Sequence, residues 1–190
     1  EFPYLEIAEE YRDAGADVIS VLTEPHYFRG RDEYLEEIAD SVDVPVLRKD
    51  FVIDEYQIYR AKELGASAVL LIAAVLDDRE LEGYRELAES LGMDALVEAH
   101  TREEAERAVS SGAAIVGINN RDLSTFKVDL GNSVRLRDAI PDSVVAVSES
   151  GISSPEDARM LHEAGYDAVL VGEAFMRSPD RRALLASMKS

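Results

Sequence analysis

The stretch Leu64-Gly65-Ala66-Ser67-Ala68-Val69-Leu70-Leu71-Ile72 decides the fold. A glycine follows a helical pattern at the point where helices commonly end, and a continuous run of apolar residues begins three positions later. Strands that are buried on both faces have such continuous runs, whereas half-exposed strands alternate. The stretch therefore predicts a helix, a short loop and a strand of a parallel sheet.

The same junction recurs along the chain, as Ala14-Gly15-Ala16-Asp17, Ser111-Gly112-Ala113-Ala114 and Ala164-Gly165-Tyr166-Asp167. Apolar runs rich in Val and Ile occupy 17–22, 44–47, 67–72, 95–98, 114–118, 144–147 and 168–171. Amphipathic helical patterns lie at 4–14, from 34, around 56–61, at 81–91 and at 158–164. Regular alternation of strand and helix predicts a parallel sheet with right-handed crossovers.

Two arrangements of such a sheet are possible, a closed barrel and an open doubly wound sheet. The runs recur about every 20 to 30 residues without a linker, which favours a barrel and one domain over residues 1–190. A regular (β/α)8 barrel has eight strands and typically about 250 residues, whereas seven runs are present here and a helix comes first. We therefore expect an α/β fold, a TIM (β/α)8 barrel truncated at its N-terminus, with seven of eight strands present.

Composition narrows the possible partners and the compartment. The 190 residues include 39 acidic and 20 basic ones, for a net charge of −19, which disfavours nucleic acid and membrane as partners. Sixteen Arg against four Lys, with acid excess, indicates a halophilic protein of a salt-rich cytoplasm; the alternative is an ordinary acidic enzyme. Cysteine is absent, no apolar run approaches the roughly 20 residues that span a bilayer, and no signal-peptide pattern is present, so we expect a cytoplasmic protein.

Polar residues cluster where the apolar runs end. Apart from the run ending at Ile72, which is followed by Ala73-Ala74, five groups in chain order are Arg48-Lys49-Asp50-Phe51, Glu98-Ala99-His100, Asn119-Asn120-Arg121-Asp122, Ser148-Glu149-Ser150-Gly151 and Gly172-Glu173. In parallel barrels the carboxyl ends of the strands form the mouth of the active site. The sequence therefore predicts an active site built from these groups.

Individual residues suggest roles within that mouth. Lys49 is one of four lysines and follows a strand, so burial would lower its pKa and favour proton donation; the alternative is a solvated loop lysine. Glu98 is expected to face inward, although a surface carboxylate is the alternative. Arg121 suits a carboxylate or phosphate ligand, and His100 alone is more often structural.

Phosphate and cofactor chemistry are constrained by the same groups. Ser150-Gly151 and Gly172 follow the last two strands, where barrels commonly bind phosphate through backbone N–H groups. The three histidines lie on unrelated elements, and no nucleotide-binding or nucleophile motif is present. We expect acid–base chemistry on a small phosphorylated anion, with neither metal nor cofactor.

Several stretches of the sequence resemble the indole-3-glycerol phosphate synthase family, and the resemblance covers essentially the whole chain. The similar stretches are Ile19-Ser20-Val21-Leu22-Thr23-Glu24 with Tyr27-Phe28 and Gly30, Pro45-Val46-Leu47-Arg48-Lys49-Asp50-Phe51 with Gln57, Leu70-Leu71-Ile72, Leu96-Val97-Glu98 with His100, Gly117-Ile118-Asn119-Asn120-Arg121-Asp122, and Val147-Ser148-Glu149-Ser150-Gly151-Ile152. The resemblance implies ring closure of 1-(2-carboxyphenylamino)-1-deoxyribulose 5-phosphate, a phosphorylated small molecule, with loss of CO₂ and water.

The resemblance also implies residue roles. Lys49 would be the general acid, and Glu98, positioned by Asn119, would assist proton removal in the dehydration. Glu149 would belong to the mouth. Phe28, Phe51 and Leu70 would hold the anthranilate ring, Arg121 would join the polar cluster, and Ser150, Gly151, Gly172 and Glu173 would bracket the phosphate.

One departure from the family is expected to matter. The family's first strand, with a Glu and a second Lys, and its N-terminal extension are not found, so the resemblance implies an incomplete and impaired enzyme. Two other interpretations stay open: a phosphoribosylanthranilate isomerase-like barrel, and a remnant that binds phosphate without turnover. A complete barrel would be a monomer.

Overall fold

The computed structural model describes residues 2–122 and 125–189. Their strands are β1 (Ile19–Leu22), β2 (Val46–Lys49), β3 (Ala68–Ile72), β4 (Asp94–Ala99), β5 (Ile115–Asn119), β6 (Val145–Glu149) and β7 (Ala168–Leu170). Their helices are α1 (Tyr4–Asp13), α2 (Asp32–Ser41), α3 (Glu55–Glu63), α4 (Asp78–Ser90), α5 (Arg102–Ser110), α6 (Gly131–Leu136), α7 (Pro155–Glu163), α8 (Glu173–Arg177) and α9 (Arg181–Met188), with a 3₁₀ turn at Arg137–Ala139.

The strands pair in chain order from β1 to β7, and every pair is parallel. A doubly wound sheet would reverse its order at a switch point, so this sequential order selects the barrel. The helix layer continues past the ends of the sheet, because α9 packs on α1 through an ion pair of Arg181 with Glu10 (2.8 Å). Just beyond the two helices, Lys189 pairs with Asp17 (2.9 Å). Within the described ranges no ladder joins β1 to β7, so the sheet holds seven strands of the TIM-barrel arrangement, as predicted.

Side-chain alternation along these strands divides the core into two parts. Outward-facing residues such as Val69 and Leu71 pack with helix residues such as Ile58 in the large outer core. Inward-facing residues form a small inner core of Leu47, Leu70, Ile72, Leu96 and Val147. Burial on both faces is the reason for the continuous apolar runs in the sequence.

Strands β2, β4, β5 and β6 extend one or two residues further toward the mouth than the predicted apolar runs do. Lys49, Glu98 and Glu149 were expected just after or at the ends of runs, and the structure places all three within strands. The apolar runs underestimate the lengths of these strands, because the last inward-facing position of each strand carries a polar or charged residue.

For helix α5 only the end was predicted, from the Ser111-Gly112 junction, and not its start or its amphipathic pattern. Its buried face consists of Ala105 and Ala108, which give too weak an apolar periodicity to detect, and its start is fixed by a Thr101 cap that accepts the N–H of Glu104. None of the helices in the described part of the chain is long and apolar enough to cross a membrane.

Leu71→Ala is expected to lower the free energy of unfolding by about 2 to 5 kcal/mol, since a fully buried side chain of the outer core is truncated. Urea denaturation measures the change. Val145→Ala at a 44 % exposed position of β6 is the control, with an expected loss of less than about 1 kcal/mol. Equal losses in the two variants would contradict the described core.

Candidate active site

Lys49 lies between two carboxylates inside the mouth of the barrel. Its Nζ is 3.2 Å from Oε2 of Glu98 and 3.2 Å from Oε2 of Glu149. Side-chain exposure is 18 % for Lys49, 2 % for Glu98 and 1 % for Glu149. The three residues come from β2, β4 and β6, each two positions beyond an inner-core residue, so alternation aims them at the same interior space.

The prediction that burial lowers the pKa of Lys49 is wrong. Burial does lower it, but the attraction of the Glu149 and Glu98 carboxylates, with hydrogen bonds to both, outweighs burial and raises the pKa above its ordinary value. Lys49 is therefore held as an ammonium ion. The sequence could not reveal this, because the two carboxylates are 49 and 100 positions away.

The two carboxylates have opposite pKa shifts. Burial would raise the pKa of Glu98, but Lys49, a hydrogen bond from Asn119 and the nearby His100 lower it below its ordinary value. Burial raises the pKa of Glu149 to about 7, against the attraction of Lys49. Near neutral pH the cluster thus pairs one ammonium ion with one firmly ionised carboxylate and one that is close to protonation.

Gly117 on β5 makes room for the Glu149 carboxylate. A Cβ at this position would lie 2.0 Å from Oε1 of Glu149 and 3.2 Å from Cδ1 of Leu96. Only a residue without a side chain leaves the space that Glu149 occupies. Gly117 belongs to one of the motifs in the sequence, but no role could be predicted for it, since a glycine in a strand does not disclose what fills its space.

Asn119 and Arg121 continue the site along the end of β5. Asn119 hydrogen-bonds Glu98 and also accepts the backbone N–H of Arg121 through its Oδ1 (2.9 Å). The Arg121 guanidinium, about one third exposed, pairs with Glu173 at 3.4 Å. The structure thus joins Asn119 to the charged cluster and directs Arg121 toward the end of β7.

An aromatic wall borders the mouth on the side of β1 and β2. The ring of Phe28 stacks on that of Phe51 with centroids 5.2 Å apart, and Tyr27 meets Phe51 edge to face. Glu24 shapes this loop by accepting the backbone N–H groups of residues 26, 27 and 28. Leu70, predicted as part of the wall, is only 1 % exposed and lies in the inner core against which Phe51 packs.

The predicted phosphate residues lie at the ends of β6 and β7. Ser150 and Gly151 both have left-handed backbone conformations, with φ of 68° and 80°. Such a conformation is costly for a serine and is concentrated at functional sites. A Cβ at Gly151 would lie 2.2 Å from Cγ1 of Val128. Gly172 caps α8, and the exposed Glu173 pairs with Arg121 and Arg177 rather than with the Lys49 cluster.

These features define a class of protein. A parallel barrel with an ammonium ion between two carboxylates at its carboxyl mouth is a TIM-barrel enzyme equipped for acid–base chemistry. Among the described residues, no group of three or more His, Asp and Glu side chains is placed to hold a metal ion.

The chain belongs to the indole-3-glycerol phosphate synthase family, whose model matches residues 1–188. It is 56 % identical over 189 residues to the indole-3-glycerol phosphate synthase of Lacticaseibacillus paracasei, covering 100 % of this chain and 73 % of that protein. It is 51 % identical to the enzyme of that name from Ruminiclostridium cellulolyticum, covering 99 % and 72 %.

Solved structures with less than 25 % identity share the fold. A 3-hexulose-6-phosphate synthase from Salmonella typhimurium superposes with a TM-score of 0.82 at 16 % identity, covering 96 % of this chain and 89 % of that one. A thiamine phosphate pyrophosphorylase from Pyrococcus furiosus superposes with a TM-score of 0.77 at 20 % identity, covering 98 % and 88 %.

Gly117→Ala is expected to lower the free energy of unfolding by about 1 to 3 kcal/mol, because the new methyl group displaces the Glu149 carboxylate in a packed interior. Gly83→Ala is the control: nothing lies within 4 Å of its Cβ in α4, so a gain of about 0.5 to 1 kcal/mol is expected there. Urea denaturation distinguishes the two. A neutral or stabilising Gly117→Ala would contradict the described position of Glu149.

Proposed function

We propose that this chain closes the indole ring of 1-(2-carboxyphenylamino)-1-deoxyribulose 5-phosphate, releasing CO₂ and water in tryptophan biosynthesis. It would thus act as a carboxy-lyase. One observation carries the proposal: the Lys49 ammonium between Glu98 and Glu149 provides an acid and a base in one buried cluster, in a chain of this family.

Lys49 acts as the general acid. When the aromatic carbon attacks the substrate ketone, negative charge develops on the ketone oxygen, which takes a proton from Nζ. The raised pKa keeps Lys49 protonated at neutral pH, so it carries its proton when the reaction begins. Transfer becomes favourable because an alkoxide is far more basic than an amine. CO₂ then leaves from the same carbon and the ring regains aromaticity.

Glu98 acts as the base in the dehydration that follows. Its lowered pKa keeps it ionised, and it removes the proton from the carbon beside the ring nitrogen while the new hydroxyl leaves as water with a second proton from Lys49. Asn119 hydrogen-bonds Glu98 and so fixes the direction of the carboxylate. Glu149 belongs to the same catalytic cluster, where it holds Lys49 from the opposite side.

Ring closure requires that both ends of a flexible substrate be held. Phe28 and Phe51 offer stacked faces to the anthranilate ring, and Leu70 supports Phe51 from the inner core. Arg121 provides a cation for a carboxylate or phosphate oxygen. Ser150, Gly151, Gly172 and Glu173 bracket the phosphate, with backbone N–H groups as donors and Glu173 as a partner of Arg121.

We also propose a cellular environment and partners for this chain. The acidic surface suits a monomeric enzyme of a salt-rich cytoplasm that binds a phosphorylated small molecule and neither nucleic acid nor membrane, and the cluster needs no cofactor for this chemistry.

Lys49→Met is expected to lower kcat by about 10² to 10⁴, because the general acid is lost and a similar volume is kept. Growth of indole fluorescence in concentrated KCl measures turnover. Lys62→Met, which removes an exposed lysine of α3, is the control and should leave kcat unchanged. Phosphate binding by the unsubstituted chain without any turnover would overturn the synthase proposal in favour of a non-catalytic phosphate-binding barrel.

The KM for the anionic substrate is expected to rise above about pH 7. Burial raises the pKa of Glu149 to about 7, so it is neutral below this pH and ionised above it, which adds a negative charge beside the substrate. One titrating group predicts a rise of at most about tenfold per pH unit. Glu149→Gln, which stays uncharged, should flatten this profile, and a variant that kept the steep rise would assign it to another group.

A further inference from the structure

His100 occupies a place that the acid–base cycle leaves unexplained. It lies two residues beyond Glu98 at the end of β4, and its side chain is 14 % exposed. Its Nε2 is 3.7 Å from Oε1 of Glu98, and its Nδ1 is 3.5 Å from Oε2 of Glu104 on α5. Both ring nitrogens are buried without a hydrogen-bond partner. An imidazole thus separates the buried base from a second carboxylate.

The surroundings hold the imidazole between the two acids. The backbone N–H of His100 donates to Oε2 of Glu104 (2.7 Å), and its carbonyl accepts from Asn132 of α6 (3.0 Å). Glu104 is fixed in turn, because its N–H donates to the Thr101 cap. Glu104 is 18 % exposed against 2 % for Glu98, so the three side chains lead from the interior of the barrel toward solvent.

The proton balance of the proposed reaction suggests a function for Glu98, His100 and Glu104. In the proposed reaction the substrate carboxylate leaves as CO₂, so each turnover consumes one proton. Lys49 gives up two protons, one to the ketone oxygen and one to the departing hydroxyl, while Glu98 recovers only one from carbon. That proton can return to Lys49 across 3.2 Å, and the second must come from solvent.

The mouth is a poor route for this second proton. Only the exposed part of Lys49 opens onto the mouth, and a substrate that receives a proton from Lys49 covers it. Oε1 of Glu98 instead faces His100 at 3.7 Å, so a proton that arrives through His100 does not have to pass the mouth. Imidazole is suited to this position because one ring nitrogen can take up a proton while the other releases one.

We infer that His100 is a positioning residue for Glu98 that also passes protons from Glu104 to Glu98, and so recharges Lys49 while substrate fills the mouth. The inference rests on the proposed function. In one transfer, a proton that the Glu104 carboxylate takes from solvent passes to Nδ1, the N–H bond at Nε2 breaks, and Oε1 of Glu98 accepts the Nε2 proton. Glu98 then protonates the neutral amine of Lys49. After product release the ring returns to its first tautomer when Nε2 takes a proton from water in the mouth and Nδ1 releases one through Glu104 to solvent.

The test is the loss of turnover in His100→Ala and its rescue by added imidazole. We expect kcat to fall by roughly 10²-fold, the low end for a positioned proton-transfer group, with KM little changed. Added imidazole should restore kcat in a saturable manner by occupying the vacated space. His162→Ala, which removes an exposed histidine of α7, is the control and should neither lose activity nor respond to imidazole.

Each outcome decides the inference. A loss of kcat that imidazole does not restore would show that His100 only fills space, and an unchanged kcat would show that protons arrive by another path. Glu104→Gln should cause a similar loss, since it removes the outer acid. No product from the unsubstituted chain would overturn the proposed function instead.

Nitrogen NMR of the histidine rings then tests the arrangement without turnover. Nε2 of His100 should respond to Glu98→Gln and Nδ1 to Glu104→Gln, while His26 and His162 respond to neither. A His100 ring that is indifferent to both replacements would overturn the inference.

Discussion

The structure of the site depends on burying one ammonium ion between two carboxylates. Removing three charged groups from water is costly unless each finds a partner, and each of these does: Lys49 bonds both acids, and Asn119 supports Glu98. The arrangement leaves the cluster with unequal acids, one firmly ionised and one with a pKa near neutrality. A reaction with separate protonation and deprotonation steps requires carboxylic acids of different pKa beside one proton donor.

The barrel fold brings the three charged side chains together with few special requirements on the sequence. A period of two along parallel strands in register places the second residue beyond each inner-core position in the mouth. Leu47, Leu96 and Val147 anchor the strands that carry Lys49, Glu98 and Glu149. Gly117 on the neighbouring strand β5 then leaves the volume that the Glu149 carboxylate occupies. Fold and site are therefore consequences of one alternating pattern.

Much of this was predictable from the sequence. Continuous apolar runs predicted the parallel strands, and the rule that function lies at their carboxyl ends selected Lys49, Glu98, Asn119 and Glu149, which the structure brings together around one interior space. Only the end of helix α5 was predicted, at the Gly112 junction, because its buried face is alanine and gives little apolar periodicity. The pKa of Lys49 was predicted in the wrong direction, because its sign depends on carboxylates distant in sequence. Gly117 and the position of His100 between Glu98 and Glu104 could not be predicted, since each has meaning only through contacts across the barrel.

Decarboxylative ring closure by this cluster can be followed with a substrate that carries ¹³C in its carboxylate. Release of labelled CO₂ is measured together with formation of the indole product. We expect the folded chain to release one labelled CO₂ for each indole ring formed. Folded chain that binds the substrate but releases no labelled CO₂, or releases it without an indole product, would show that the cluster does not drive this reaction.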